Sequence, residues 1–290
     1  MSIRIRKVRP SDLDAILEIS QHIWEGHDYL PFVIKGWLKD PNSHTYGLDV
    51  GNHVVAVANL RIIEEGRTGW MEGLRVHPDH SGKGFANAMT NHIIRKAVAS
   101  NVQRIRYTTS TENPASLKLA EKFGFIPILK MAVLWHSPVK VSPFTQDYPK
   151  IRKSSPSQIF DLLEKNPYLM PNRILVYDWK ALDTSPNGLK TLGKTHEFYL
   201  ALKKGSIDSL SYAYLRRRKQ RLQWIFTIHA TQALGFASHF QYNLSKALEQ
   251  DCEGVTCTYE TAFEETLHQA NWLSDEHWST HMVLLEKPNR

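Results

Sequence analysis

The chain reads as an α/β (α+β) protein in two halves, each a mixed, mostly antiparallel sheet flanked by helices. Three observations predict this. Residues 3–136 follow the order β-α-α-β-β-β-α-β-α-β in their hydrophobic period. Residues 198–287 repeat the β-β-β-α-β-α-β part of that order. Met71–Ala99 passes from a strand through a polar turn with two glycines into a long amphipathic helix. At 290 residues the length suits two domains. The expected division is a first domain at 1–136, a Ser-, Pro- and Lys-rich connection at 137–160, and a second domain at 161–290.

Each element has a local cause. Ile3–Val8 alternates apolar and charged residues as a half-exposed strand does. Ser11 is placed to cap a helix with Asp12 and Asp14 in its first turn and Leu13, Ile16, Leu17 and Ile19 inward. His27–Pro31 breaks the period as a loop, and Phe32–Leu38 gives a second helix ending near Asp40-Pro41. Strands at Thr45–Val50, His53–Ile63 and Trp70–His77 are separated by Gly51-Asn52 and by Glu64–Arg67, both hairpin turns. Arg104–Thr109 is a strand. Asn113-Pro114 starts a helix that Gly124 ends, and Ile126–Trp135 resumes a strand. In the second half a short helix follows Ser157. Strands are expected at Phe198–Lys203, Leu210–Arg216, Leu222–Ile228, Gly254–Tyr259 and His281–Lys287, and helices at Thr231–Glu249 and Phe263–Ala270.

A formal charge of +7 suits an anionic partner. The basic residues are spread out, and their one dense run, Arg216–Lys219, reads as a solvated hairpin tip, so no nucleic-acid partner is expected. A phosphate-bearing cofactor meets the same bias. No apolar run approaches the roughly 18 residues of a membrane span, so no membrane partner is expected either. The N-terminus is too polar for a secretory signal. Cys252 and Cys257 lack the second pair a zinc site needs and read as free thiols, so no metal is expected and a cytoplasmic setting is. No oligomeric state follows from the sequence.

The chemistry starts at the glycine turn, Ser81-Gly82-Lys83-Gly84-Phe85-Ala86. Such a turn leaves the first helical N–H groups unpaired at the positive end of the macrodipole, a seat for a phosphate. It is not a P-loop, because Phe85 follows Gly84 where Ser or Thr should follow a Gly-Lys pair. It is not a dinucleotide fingerprint either, since the acidic residue about 20 positions on is missing. His77 and His80 flank the turn, as electrostatic neighbours of a phosphate or as surface residues.

Three stretches together resemble the GNAT acyl-CoA N-acyltransferase superfamily over residues 3–136. Glu72–Pro78 matches its E-x-L-x-V-x-P strand, Ser81–Ala86 its pyrophosphate turn, and Asn113–Phe125 its N-x-x-(A/S)-x-x-L-Y-x-K-x-G-F helix. The resemblance implies acetyl-CoA as cosubstrate, held by Leu74, Arg75, Val76, Ser81, Gly82, Lys83, Gly84, Phe85, Ala86, Asn113 and Ser116. It implies an oxyanion-stabilising N–H at about Leu74 or Arg75, and Glu72 as base. A sheet glutamate paired with Arg61 or Arg75 is the other reading of Glu72, as a plain helix cap is of Asn113. Ser81 departs from the family's Gln or Arg. Ala120 stands where many members carry the tyrosine that protonates the leaving thiolate.

Trp24–Pro31 and Trp37–Pro41, with the Glu72 strand, resemble the histidine N-acetyltransferase and probable N-acetyltransferase group of animals. That implies a small-molecule acceptor, the α-amine of free histidine, with Trp24, Asp28, Tyr29 and Trp37 around it. An imidazole suits such aromatic walls and a carboxylate; Tyr29 and Trp37 as core residues is the other reading. A protein or other small amine, or a non-catalytic scaffold, is the alternative function. The second half, with no glycine turn before Thr231, is expected to be a degenerate GNAT-like domain without a cofactor site.

Overall fold

The computed structural model describes residues 3–23, 26–137, 139, 149–218, 221–269, 273 and 277–289. They fall into two compact units. Unit 1 holds the residues up to Thr108, Ala115–Pro127 and the stretch from Leu285 onward; unit 2 holds Thr109–Pro114 and Ile128–Leu284. The sequence division is contiguous, whereas the units follow contacts. The strand that closes the first half thus counts mostly with unit 2, and the last residues of the chain with unit 1.

Unit 1 opens with β1 (Ile3–Lys7), α1 (Leu13–Gln21) and α2 (Leu30–Lys39). A single 3-10 turn, Pro10–Asp12, precedes α1, and Ser11 is not its cap. Asp12 stands at the N-cap of α1 without a side-chain cap bond; its carboxylate instead accepts from the Arg9 N–H at 2.6 Å and from Arg6 at 2.7 and 2.9 Å. Next come β2 (Ser43–Val50), β3 (His53–Ile63), β4 (Thr68–Val76), α3 (Phe85–Ala99), β5 (Arg104–Ser110) and α4 (Pro114–Lys122). The strands lie in the order β1-β2-β3-β4-β5, antiparallel through β4 and parallel between β4 and β5.

Gly51-Asn52 turns with both residues at positive φ, as a tight hairpin requires. Ile16, Leu30, Ile34 and Trp37 of the first two helices bury against Val54 and Val57 of β3. On α3, Met89, Ile93 and Ala97 are buried, and Gly69 lets the helix approach closely: a Cβ there would lie 3.1 Å from that of Ala97. Gly124 at φ +72 ends α4, with the Phe125 N–H donating back to the Ala120 carbonyl at 2.9 Å. From the C-terminal stretch, Glu286 pairs with Arg106 at 2.7 Å and the Asn289 N–H donates to the Gln103 carbonyl at 2.9 Å.

Unit 2 comprises most of β6 (Ile126–His136), then β7 (Arg152–Ser154), α5 (Pro156–Lys165), β8 (Ile174–Tyr177), β9 (Lys180–Asp183), α6 (Pro186–Leu192), β10 (Glu197–Lys203), β11 (Ser206–Arg218), β12 (Arg221–Ala230), α7 (Ala233–Glu249), β13 (Gly254–Tyr259), α8 (Glu264–Gln269) and most of β14 (His277–Pro288). Its strands lie in the order β14-β6-β13-β12-β11-β10-β7. The β-β-β-α-β-α-β run from β10 to β14 is the one expected. Helix α7 starts later than Thr231, because β12 continues through Ala230 and Thr231 is tied to Asp208 by its N–H at 3.1 Å and its hydroxyl at 3.0 Å. The β8–β9 hairpin, α6 and β7 are absent from the sequence reading. Arg216 is not a solvated tip: it is half-buried and donates to Asp178 at 2.8 Å and to Gln223 at 2.6 Å. Lys219 lies outside the described residues.

Candidate active site

The feature that organises unit 1 is a break in the β3–β4 ladder. The strands pair from Ile63↔Thr68 to Asn59↔Glu72, and again at Val57↔Arg75 and Ala56↔Val76. Between those two stretches β3 advances from 59 to 57 while β4 advances from 72 to 75, so β4 carries one extra residue. Gly73, at φ +68, sits in that bulge. A side chain there would put its Cβ 2.4 Å from Cη2 of the Trp37 indole, so glycine is required by conformation and by space. A bulge leaves one residue out of the ladder and re-aims its peptide groups. Here that residue adjoins Leu74, which with Arg75 is where the resemblance places an oxyanion donor. Beyond Trp70 the β4–β5 pairing also stops: Thr68–Trp70 pairs with Arg104–Arg106, and no later pair forms among the described residues. The two parallel strands part before the bulge.

Asp28, Tyr29, Trp37 and Arg75 meet around this bulge. The Arg75 guanidinium donates to both Asp28 oxygens, at 3.0 Å and 2.9 Å, and to the Leu74 carbonyl at 2.9 Å. The Asp28 side chain is 1% exposed, so its carboxylate faces Arg75 and not solvent. Burial alone would lower the Arg75 pKa; the bonds and charge of Asp28, with Tyr29, raise it overall. Its guanidinium lies 5.3 Å from the Tyr29 ring centroid. Burial pushes the Tyr29 phenol up to about 12. Tyr29 meets Trp37 edge to face at 6.4 Å, and Trp37 belongs to the α1–α2 core. Trp24, the other residue expected at the acceptor, lies outside the described residues.

Glu72 lies just before the bulge, with its side chain 8% exposed. Its Oε1 accepts from Asn59 Nδ2 at 3.0 Å and stands 3.7 Å from Arg61. Asn59 in turn accepts from the Thr45 hydroxyl at 2.9 Å, and Arg61 also reaches Asp40 at 3.4 Å. Glu72 is therefore held by a polar row across β2, β3 and β4, with both interactions falling on one oxygen.

At the other end of β4, His77 and a 3-10 turn, Pro78–His80, lead into the glycine turn. Ser81 is extended, Gly82 and Gly84 are at φ +74 and +81, and Gly84 caps α3 with no side-chain hydrogen bond. No heavy atom lies within 4 Å of a Cβ built at either glycine, so the turn is open. Lys83 is drawn over it by a 2.8 Å bond to the Asp79 carbonyl, and Phe85 stacks on His80 at 6.0 Å. With Ala86 these residues form an uncapped N-terminus on a 15-residue helix, which fits a pyrophosphate. Val76 pairs with Ala56 between bulge and turn.

Ser116 offers its carbonyl to the Tyr107 hydroxyl at 3.2 Å. Ala120, in the family's tyrosine position, is buried. Asn113 precedes α4 in the stretch grouped with unit 2, its N–H donating to the Ser110 carbonyl at 3.1 Å. Among the described residues no group of three or more His, Cys, Asp and Glu side chains is placed to hold a metal.

Sequence reasoning missed Asn59 and Tyr107. A lone asparagine inside the apolar run Val54–Leu60 was the available signal for the first; Tyr107 carried none, since a strand tyrosine is ordinary.

Comparison with known proteins agrees with this geometry. The acetyltransferase (GNAT) family pattern matches residues 13–125. A histidine N-acetyltransferase of Oreochromis niloticus is 38% identical over 78 residues, which are 27% of this chain and 23% of that protein. The matched stretch thus spans about a quarter of that relative. A GCN5-related N-acetyltransferase from Sphaerobacter thermophilus superposes with a TM-score of 0.67 at 12% identity, covering 99% of this chain and 95% of the other. A tandem GNAT protein from the clavulanic acid biosynthesis pathway gives 0.62 at 12% identity, covering 99% and 98%. The fold of both halves is therefore GNAT-like, as expected. Within the chain, residues 13–125 match the acetyltransferase (GNAT) family.

Proposed function

We propose that the protein is an acetyl-CoA-dependent N-acetyltransferase whose acceptor is the α-amine of a free amino acid, histidine. The observation that carries the reading is that β4 joins a strand bulge at Gly73 to an open, uncapped helix N-terminus at Gly84. One end can hold an anion, and the other presents re-aimed backbone N–H groups where acyl charge develops. The relative's name supports histidine.

Bound acetyl-CoA would supply the activated acetyl group. The N–H groups of Gly82–Ala86 and the Lys83 ammonium would bind its pyrophosphate. The Leu74 N–H would stabilise negative charge on the acetyl oxygen. Glu72, through the oxygen not engaged by Asn59, would accept the amine proton directly or through water. Alignment of the two substrates supplies much of the remaining acceleration. Ser81, where the resemblance implies a longer side chain, donates its N–H to the Pro78 carbonyl at 2.9 Å, which would leave the pyrophosphate to the N–H groups that follow. The two free thiols, Cys252 and Cys257, are buried and held protonated by burial, which suits a cytoplasmic, reducing setting.

The test is incubation with acetyl-CoA and a panel of free amino acids, following thiol release. Release with histidine above the other amino acids supports the proposal. Release only with peptides moves the acceptor to protein, and acetyl-CoA binding without release by any amine favours a scaffold. Glu72→Gln should lower kcat on the order of a hundredfold if Glu72 is the base; an unchanged pH–rate profile would remove it from that role.

A further inference from the structure

We infer that Asp28 and Arg75 are positioning residues: a clamp that fixes the β4 bulge so that the Leu74 N–H is aimed at the acyl oxygen. The inference rests on the acetyl-transfer reading and assigns Asp28 and Tyr29 a role other than lining the acceptor. A bulge is a soft feature of a sheet, because it lacks the ladder bond that would otherwise hold its backbone. This one is held by side chains from a distant stretch of sequence. Arg75 forks onto both oxygens of Asp28 at 3.0 and 2.9 Å and uses its remaining nitrogen on the Leu74 carbonyl at 2.9 Å.

Asp28 is itself fixed, since one of its oxygens also accepts the Leu30 N–H at 3.3 Å at the start of α2. The ring of Tyr29 packs under the guanidinium at 5.3 Å, and the Trp37 indole seals the far side of Gly73. The residues on either side of Leu74 are therefore both pinned, Gly73 by the indole and Arg75 by the carboxylate. Two peptide groups lie between them: Arg75 holds the carbonyl of the second, and the first, which carries the Leu74 N–H, is confined between that anchor and the indole beside Gly73. Such a pair adds little net stability against apolar replacements of its shape, so orientation is the better account of its presence here. Lysine cannot replace the arginine, because it lacks the planar fork that bonds Asp28 and the Leu74 carbonyl together.

The experiment uses the full-length protein and acetyl-CoA labelled with 13C at the thioester carbonyl. Difference infrared spectroscopy reads the carbonyl frequency with no acceptor present. A carbonyl hydrogen-bonded to the Leu74 N–H is shifted down from its frequency in water. In Arg75→Lys and Asp28→Asn the shift should be lost and kcat should fall on the order of a hundredfold. The Kd for acetyl-CoA should stay within about threefold, because the phosphates bind elsewhere. Asp12→Asn, which opens a comparable half-buried fork with Arg6 away from the bulge, serves as control. It should lower Tm yet leave the carbonyl frequency and kcat as they were. A retained shift in both clamp variants, or an equal loss in Asp12→Asn, would overturn the clamp. Because the infrared readout needs no acceptor, the absence of transfer to any amine would sink the proposed function and leave this test standing.

Discussion

Two strands with the same place in their units, β4 and β12, have opposite outcomes. Each follows a hairpin partner and precedes a long helix and a parallel strand. Strand β4 is bulged at Gly73, and its parallel pairing with β5 covers Thr68–Trp70 alone. Strand β12 pairs with β11 without a register shift from Ser209↔Ala230 to Arg218↔Arg221, and with β13 over the whole of Gln223–Ile228. The helices differ in the same sense. Helix α3 starts at two positive-φ glycines in open space, whereas α7 starts at an extended Gln232, and a Cβ at Gly235 would lie 3.0 Å from the Asp208 carboxylate and 3.1 Å from Ser209.

Where β4 offers its polar row, β12 is closed by internal bonds. His229 is shared between Glu260 and the Tyr212 hydroxyl, each at 3.1 Å, and Tyr212 is tied to both the N–H and the carbonyl of Val176. Opening a parallel strand pair and leaving a helix N-terminus bare both cost stability, since backbone groups lose partners. Unit 1 takes on both costs along one strand; in unit 2 the β12–β13 pair stays closed, although α7 likewise starts without a side-chain cap. The difference teaches that this fold opens by a local failure of sheet regularity, at β4 and not at β12.

The comparison can be broken from either side. The largest effect is expected for Gly84→Glu, which sets a carboxylate and a side chain at φ +81 into the anion seat. Affinity for acetyl-CoA should fall at least on the order of a hundredfold, given the cost of opposing like charges; unchanged affinity by calorimetry would refute the phosphate assignment. Next comes Gly73→Val, which meets both a positive φ and the Trp37 indole. It should destabilise unit 1 on the order of 3 kcal/mol and reduce kcat tenfold or more, as followed by denaturant melts and thiol release.

Unit 2 should respond to pH instead. Burial lowers His239 to about 3 and His196 to about 4, from an ordinary value of 6.5. Both side chains are neutral in the fold and more basic in the unfolded chain. The stability they allow is therefore complete above pH 6.5 and is lost progressively as pH falls toward 4 and 3. That loss amounts to a few kcal/mol for the two together on an order-of-magnitude scale. His239→Gln should flatten the decline in Tm between pH 6.5 and 4, and an undiminished slope would assign the acid sensitivity elsewhere. The smallest effect is expected for Gly235→Ala, about 1 kcal/mol of overpacking against Ser209 with acetyl-CoA affinity untouched.

Much of this contrast was legible from the residues. The two glycines at 82 and 84 marked the open, positive-φ turn before α3, and no such pair stands before Thr231, because positive φ and side-chain identity are linked directly. The bulge was not legible. Glu72-Gly73-Leu74 reads as a plain strand, and only the indole of Trp37, from a helix far back in the chain, shows why that glycine is there. For the same reason Asp28, Tyr29 and Trp37 were assigned to the acceptor. Their types suit an imidazole, but a carboxylate's partner is set by tertiary position, and here it is Arg75. The β8–β9 hairpin escaped because its strands are four residues each and its turn, Asp178-Trp179, adopts positive φ without glycine or asparagine.

The central claim is that the chain has one acetyl-CoA site, on the glycine turn of unit 1. Isothermal titration of the intact chain with acetyl-CoA tests it most directly. The account predicts a stoichiometry of one per chain in the native protein and no saturable binding in Gly84→Glu. A stoichiometry of two, or one site that survives Gly84→Glu, would contradict it.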